Sequence, residues 1–178
     1  MRELARQVAL ELEHRAAVAE RDGQPMQAES LLRRAMEADP GYLPPYLGYA
    51  RLLAARGRVD EAAHILTIVP QRAVDGERDL VELARAHAQI GDLDGALELL
   101  DSRPNAIEPT RERAQLCARS GRFPEALLAA RRFADLAMQP ADQREARVLV
   151  RALSIIVGEA DAVRVPMDVS ALRRVLAN

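Results

Sequence analysis

Residues 12–40 read LEHRAAVAERDGQPMQAESLLRRAMEADP, and the reading of this stretch decides the fold. Gly23 interrupts a run of good helix formers, and on each side of it apolar residues recur three and four apart: Leu12, Ala16 and Ala19 before it, Ala28, Leu32 and Ala35 after it. Such spacing marks an amphipathic helix on either side, and glycine at the junction suits a left-handed turn that ends the first. The stretch predicts a helix, a tight turn and a second helix closed by Pro40. Extended backwards, Leu4 and Val8 join Leu12, Ala16 and Ala19 in one stripe, a helix of about six turns.

The same arrangement recurs downstream. Gly23, Gly57 and Gly91 are spaced by 34 residues, an Ala stands five residues after each (Ala28, Ala62, Ala96), and a Leu four residues further on (Leu32, Leu66, Leu100). Seven residues before each Gly is another Ala: Ala16, Ala50 and Ala84. Paired Ala lets two antiparallel helices approach closely, Leu fills the layer between them, and hairpins stacked side by side share a core that none could build alone.

These columns resemble the tetratricopeptide repeat, a 34-residue helical hairpin unit. The units span 9–42, with Leu12, Ala16, Gly23, Ala28, Leu32, Ala35 and Pro40 in register; 43–76, with Tyr46, Ala50, Leu53, Gly57, Ala62 and Leu66; and 77–110, with Leu80, Leu83, Ala84, Gly91, Ala96 and Leu100. Pro70 and Pro104 come early, so the second helices of these last two units should be short. A degenerate fourth unit, 108–138, carries Ala114, Gly121 and Ala126. The expected fold is all-α, an α-solenoid of stacked antiparallel hairpins over 1–140 followed by C-terminal capping helices and a tail over 141–178. Pro140 and Asp142 can open the capping helix, with Ala146, Leu149, Val150, Leu153 and Ile156 or Val157 apolar, and Gly158 can end it. An irregular stretch around Pro166 then leads to a short terminal helix over 168–178.

Composition excludes several chemistries. The chain has 178 residues, 25 basic against 27 acidic, one Cys and no Trp. Every basic residue is Arg, so no lysine nucleophile, Schiff-base lysine or phosphate-loop lysine exists. A net charge of −2 does not suggest nucleic-acid binding. No signal-peptide core or membrane span is legible. Lone Cys117 cannot form an internal disulfide, and a cytoplasmic setting is expected.

No catalytic, cofactor or metal constellation emerges. His14, His64 and His87 fall on different predicted helices with no second ligand three or four residues away. Cys117 reads as a buried, inert thiol. Asp60 with Glu61, and Asp92 with Asp94, sit at helix starts, where acids cap and complement the dipole. Catalysis is not expected.

The resemblance implies that the face beside the packing stripe of each first helix lines a concave surface where protein partners dock. At about 100° per residue this face carries Leu47 and Arg51, then Arg78, Val81 and Arg85, then Arg111, Gln115 and Arg119. Arg51 and Arg85 would line up across the groove with Leu47 and Val81 beneath them, offering forked donors and an apolar floor to a partner segment with acidic and apolar residues. Heat-shock-tail co-chaperones of this family share a Lys/Asn/Asn/Lys/Arg clamp. Those places hold Glu13, Ala17, Gly48, Arg78 and Glu82 here, so only Arg78 fits. The expected function is a protein-interaction adaptor or chaperone-like scaffold. The competing expectation is an assembly module that self-associates, as a homo-oligomer, or forms part of a larger multidomain protein. A further one is a tail, 168–178, that folds back into the groove.

Overall fold

The structure, a computed structural model, describes residues 2–158, so the expected terminal helix over 168–178 lies outside the described residues. Within them the chain forms nine α-helices and one 3-10 turn, with no strand. The helices are α1 (Arg2–Arg21), α2 (Pro25–Ala38), α3 (Pro44–Ala55), α4 (Val59–Thr67), α5 (Glu77–Gln89), α6 (Leu93–Asp101), α7 (Ile107–Arg119), α8 (Phe123–Leu136) and α9 (Pro140–Val157). Two compact units result, Met1–Ala96 and Leu97–Asn178.

The turn after each first helix is built identically. Gly23, Gly57, Gly91 and Gly121 have φ of 70°, 75°, 92° and 77°, the left-handed region where a Cβ is penalised. The next residue's N–H reaches back five positions in every case: Gln24 to Ala19, Arg58 to Leu53, Asp92 to His87 and Arg122 to Cys117, at 2.8–3.0 Å. That is the bond pattern of a glycine C-cap, and it satisfies carbonyls the helix end would otherwise strand. The fourth unit keeps this turn although its glycine follows Gly91 by 30 residues. The Ala columns lie at the packing layers, since Ala16, Ala28, Ala50, Ala62, Ala84, Ala96, Ala114 and Ala126 are all at most 1% exposed. Early prolines have the expected effect: α4 and α6 are nine residues long, against 14 for α2 and α8.

In the first unit, α1 packs on α2, α2 on α3, and α3 on α4 and α5. The buried stripe of α1 is Ala9, Leu12, Ala16 and Ala19, whereas Leu4 and Val8 are 64% and 44% exposed. Gly48 lets α3 approach α2, because a Cβ there would stand 3.3 Å from the Leu32 side chain. The first two pairs are also tied by charge around Glu29, a buried carboxylate on α2. Its Oε1 accepts from Tyr49 Oη at 2.8 Å and Arg33 Nη2 at 2.9 Å, and its Oε2 from Arg58 Nη1 at 3.1 Å and Arg56 Nη1 at 3.2 Å. Burial alone would raise its pKa, but the Tyr49 hydrogen bond and the Arg58 and Arg33 charges hold the carboxyl below the usual range.

In the second unit, α8 packs against both α7 and α9. Phe133 is wholly buried with Ala137 and Ala146, and Ile107 and Ala134 close around it. The apolar stripe of α9 is Ala146, Leu149, Ala152 and Leu153, each at most 2% exposed; Ile156 and Val157 stay at the surface, and left-handed Gly158 ends the helix.

Candidate functional site

A cleft of about 390 Å³ opens between α1, α3 and α5 in the first unit. Its walls are Glu13 from α1, Pro44, Leu47, Gly48 and Arg51 from α3, and Glu82, Arg85, Ala86 and Gln89 from α5. A second hollow of about 310 Å³ shares Leu47, Arg51, Ala86 and Gln89 and adds Ala50, Ala54, Ala55 and Ile90. Small residues, Gly48, Ala50, Ala54 and Ala55 on α3 and Ala86 on α5, leave room along these two hollows.

Of the residues expected on this face, the cleft brings together Leu47, Arg51 and Arg85. Arg51 is exposed, and its Nη2 donates to Glu20 Oε2 on α1 at 2.8 Å. Arg85 is exposed on α5. Arg78 is 89% exposed and its Nε pairs with Glu82 Oε1 at 3.1 Å, one turn along the same helix. Val81, expected as apolar floor, is 6% exposed and belongs to the core, the side of α5 that also buries Leu80 and Ala84. The cleft is therefore mixed in charge, with Glu13 and Glu82 among its walls beside Arg51 and Arg85, and with Glu20 paired to Arg51.

Arg111, Gln115 and Arg119 lie in the second unit, and two of them are engaged by α9. The Arg111 guanidinium sits 5.8 Å from the centre of the Phe133 ring, bonds Glu108 within α7, and lies 3.4 Å from Asp142 and 3.6 Å from Glu145 on α9. Gln115, 6% exposed, donates from Nε2 to Glu145 Oε1 at 3.0 Å. Arg119 is exposed and donates to the buried carboxylate of Glu112 on its own helix at 3.0 Å. Arg111 and Gln115 thus fasten α9 to α7, a role the spacing of α7 could not disclose because α9 lies outside the repeat.

Other titratable pairs tie local structure together. His87, 8% exposed, places Nδ1 2.7 Å from Asp92 Oδ2, while Asp92 Oδ1 accepts the Gly95 N–H at 3.0 Å; the His87 hydrogen bond, with the Gly95 N–H, holds the Asp92 carboxyl below its usual range. Glu61 is bound through both oxygens by Arg58. Among the described residues no group of three or more His, Cys, Asp and Glu is placed to hold a metal ion, and no helix is long and apolar enough to cross a membrane.

Comparison with known proteins agrees with this architecture. Residues 19–79 match a tetratricopeptide-repeat family model. No curated protein sequence matches significantly. Similar solved structures include YrrB, described as a tetratricopeptide-repeat protein with an unusual peptide-binding site, at 15% identity over 95% of this chain and 85% of that one, with a TM-score of 0.51. A double mutant of MamA RS-1 gives 13% identity over 95% and 93%, with a TM-score of 0.55. A chain of the APC/C hetero-tetramer Cut9–Hcn1 gives 16% identity over 95% of this chain and 33% of that one, with a TM-score of 0.53. At such identities the shared property is the fold. Residues 19–79 thus match a tetratricopeptide-repeat model, and the all-helical chain of stacked helix pairs has the fold of the tetratricopeptide structures it resembles.

Proposed function

We propose that the chain is a non-catalytic adaptor or chaperone-like scaffold that holds a segment of a partner protein, bearing acidic and apolar residues, in the cleft between α1, α3 and α5. One observation carries the reading: Leu47, Arg51 and Arg85, from two successive repeats, line a single open cleft. Leu47 offers an apolar contact and each guanidinium a forked donor for a carboxylate. The Arg51–Glu20 pair does not close the site, because an ion pair this exposed is worth only about 0–1 kcal/mol and exchanges readily. The peptide-binding site described for YrrB accords with this use of the fold. A cytoplasmic setting accords with the lone buried Cys117.

The test is a titration of the chain with a fluorescein-labelled peptide alternating Glu and Leu, against the double variant Arg51→Glu, Arg85→Glu. At least a tenfold loss of affinity is expected, since two favourable charge contacts become repulsive. Unchanged affinity overturns the assignment of the cleft.

A second reading, self-association, is favoured by Leu4, Val8 and Leu10, which leave α1 with 64%, 44% and 51% exposed apolar side chains. Sedimentation equilibrium of the purified chain decides it: a concentration-dependent dimer supports assembly, and a monomer throughout removes it.

A further inference from the structure

The outer side of α1 carries a seam. Leu4, Val8, Glu11, Arg15 and Val18 recur at alternating steps of four and three, the spacing that keeps a stripe in line along a helix and lets a second helix lie against it. Leu4, Val8 and Val18 are 64%, 44% and 36% exposed, and Glu11 and Arg15 are exposed between them. The equivalent column of α3 is covered. Thirty-four residues on from Glu11, Arg15 and Val18 stand Pro45, Tyr49 and Leu52, all buried, and Tyr49 bonds Glu29 on α2, the helix that α3 packs against. Thus α3 uses this column against the second helix of the hairpin before it. On α1 the same column has no such neighbour among the described residues.

The charges select the occupant and its direction. Glu11 and Arg15 make no hydrogen bond or ion pair with each other or with any other described residue. If two α1 helices paired in parallel, Glu11 would meet Glu11 and Arg15 would meet Arg15. Turned antiparallel about residue 13, the same seam sets Glu11 against Arg15 of the second copy and Arg15 against its Glu11, with Val8 against Val18 at either end of the charged layers. The pattern is its own complement, as a two-fold interface requires. The flanking column of Gln7, His14 and Arg21 brings Gln7 against Arg21 in this register and opposes no two fixed charges of one sign.

We infer that α1 pairs two copies of the chain, antiparallel and side by side, through Val8, Glu11, Arg15 and Val18. The inference rests on the self-association reading and gives it a face, a direction and a register. Glu13 and Glu20, each two residues on from a seam position and so about 200° around α1, belong to the cleft side, where Glu13 is a wall and Glu20 holds Arg51. Pairing therefore leaves the cleft of each copy open, and the dimer presents two.

The experiment follows the full chain by sedimentation equilibrium over a wide range of concentration. A reversible dimer is expected for the wild type. Glu11→Arg and Arg15→Glu, taken singly, set like charges against each other in both charged layers, and each should weaken the dimer at least tenfold. Mixing these two variants should restore a dimer, now of unlike chains, because every charged layer again pairs Arg with Glu. The double variant Glu11→Arg, Arg15→Glu should restore it within one chain type. Val8→Asp should weaken the dimer at least tenfold through the apolar layer. All these positions are exposed, and unchanged circular dichroism melts verify that the variants fold. A wild-type dimer that the single charge reversals leave at full strength, or that neither mixing nor the double variant restores, overturns this pairing while self-association stands. A wild type that is monomeric throughout removes both.

Discussion

Tyr49 Oη donates a 2.8 Å hydrogen bond to Glu29 Oε1, joining the first helix of one repeat to the second helix of the repeat before it. Tyr49 is 3% exposed and Glu29 7%, so the bond lies under the surface, with Arg33, Arg56 and Arg58 completing the ring of donors around the carboxylate. A buried acid without such partners would be costly; with them, it fixes how α2 and α3 meet.

Glu29→Gln tests this directly. Removing one partner of a buried ion pair costs about 3–5 kcal/mol, but these arginines are 57%, 34% and 31% exposed and can rehydrate, so a loss of about 2 kcal/mol at pH 7 is expected. The pH dependence has a definite sign. The folded-state pKa of Glu29 is depressed below its unfolded value of about 4.3, so the contribution is complete above that pH and is lost as pH falls through the folded value. Urea titrations from pH 7 to pH 3 should show the two chains converging in acid. A gap that persists undiminished at pH 3 would show that the charge plays no part.

Gly95→Ala should destabilise, against the ordinary helix preference. Alanine in place of glycine inside a helix usually gains up to about 1 kcal/mol. A Cβ on residue 95, however, would stand 2.3 Å from Asp92 Oδ2, so the carboxylate would have to leave both the Gly95 N–H that it caps and the His87 ring. Losing the cap costs about 1 kcal/mol, and stranding buried His87 costs about 1–3 kcal/mol. A net loss of about 1–2 kcal/mol follows, measured by urea denaturation. In an Asp92→Ala background the same substitution meets no obstacle and should stabilise. The reversal of sign is the diagnostic result, and the same sign in both backgrounds would refute the clash.

What the sequence disclosed and what it hid have physical causes. The glycine turns and Ala columns are legible because a left-handed residue and a close helix contact each tolerate few residue types, whatever surrounds them. Leu4 falls in the same stripe as Leu12 but is exposed, because α1 has 20 residues and α2 only 14, so the first turns of α1 outrun their partner. Val81 and Arg85 are one turn apart on α5 and share a face by periodicity, yet Val81 is buried and Arg85 exposed. The boundary between them is drawn by the neighbouring helices, whose position periodicity does not contain. The pairing of Arg51 was hidden for the same reason, as Glu20 reaches it across 31 residues of sequence. Arg111 and Gln115 were read as surface because α9, which takes them, breaks the repeat.

Phe133→Ala should cost about 3–5 kcal/mol, the range for deleting a wholly buried aromatic side chain. The ring fills the space among α8, Ala146 on α9 and Ile107 on α7, and the Arg111 guanidinium stacks over it. Phe133→Leu retains most of the apolar contact but leaves Arg111 without a π face, so a smaller loss of about 1–2 kcal/mol is expected. Calorimetry checks both. A Phe133→Leu variant as stable as the wild type would show that ring and cation do not interact.

Cys117 should resist thiol reagents in the native state. The side chain is 0% exposed on α7, and burial pushes the thiol above its ordinary pKa despite the nearby Arg113 and Arg122 charges, so both access and thiolate are scarce. With Ellman's reagent at pH 8, labelling is expected only as the chain opens, and to become complete within minutes in unfolding concentrations of urea. Substitution gives a second reading of the same site. Cys117→Ala leaves a small void, whereas Cys117→Ser places a hydroxyl in an apolar layer at a cost of about 1–3 kcal/mol, so serine should be the more damaging although it is closer to cysteine in size. Immediate native labelling, or a serine variant as stable as the wild type, would move Cys117 to the surface and with it the packing face assigned to α7.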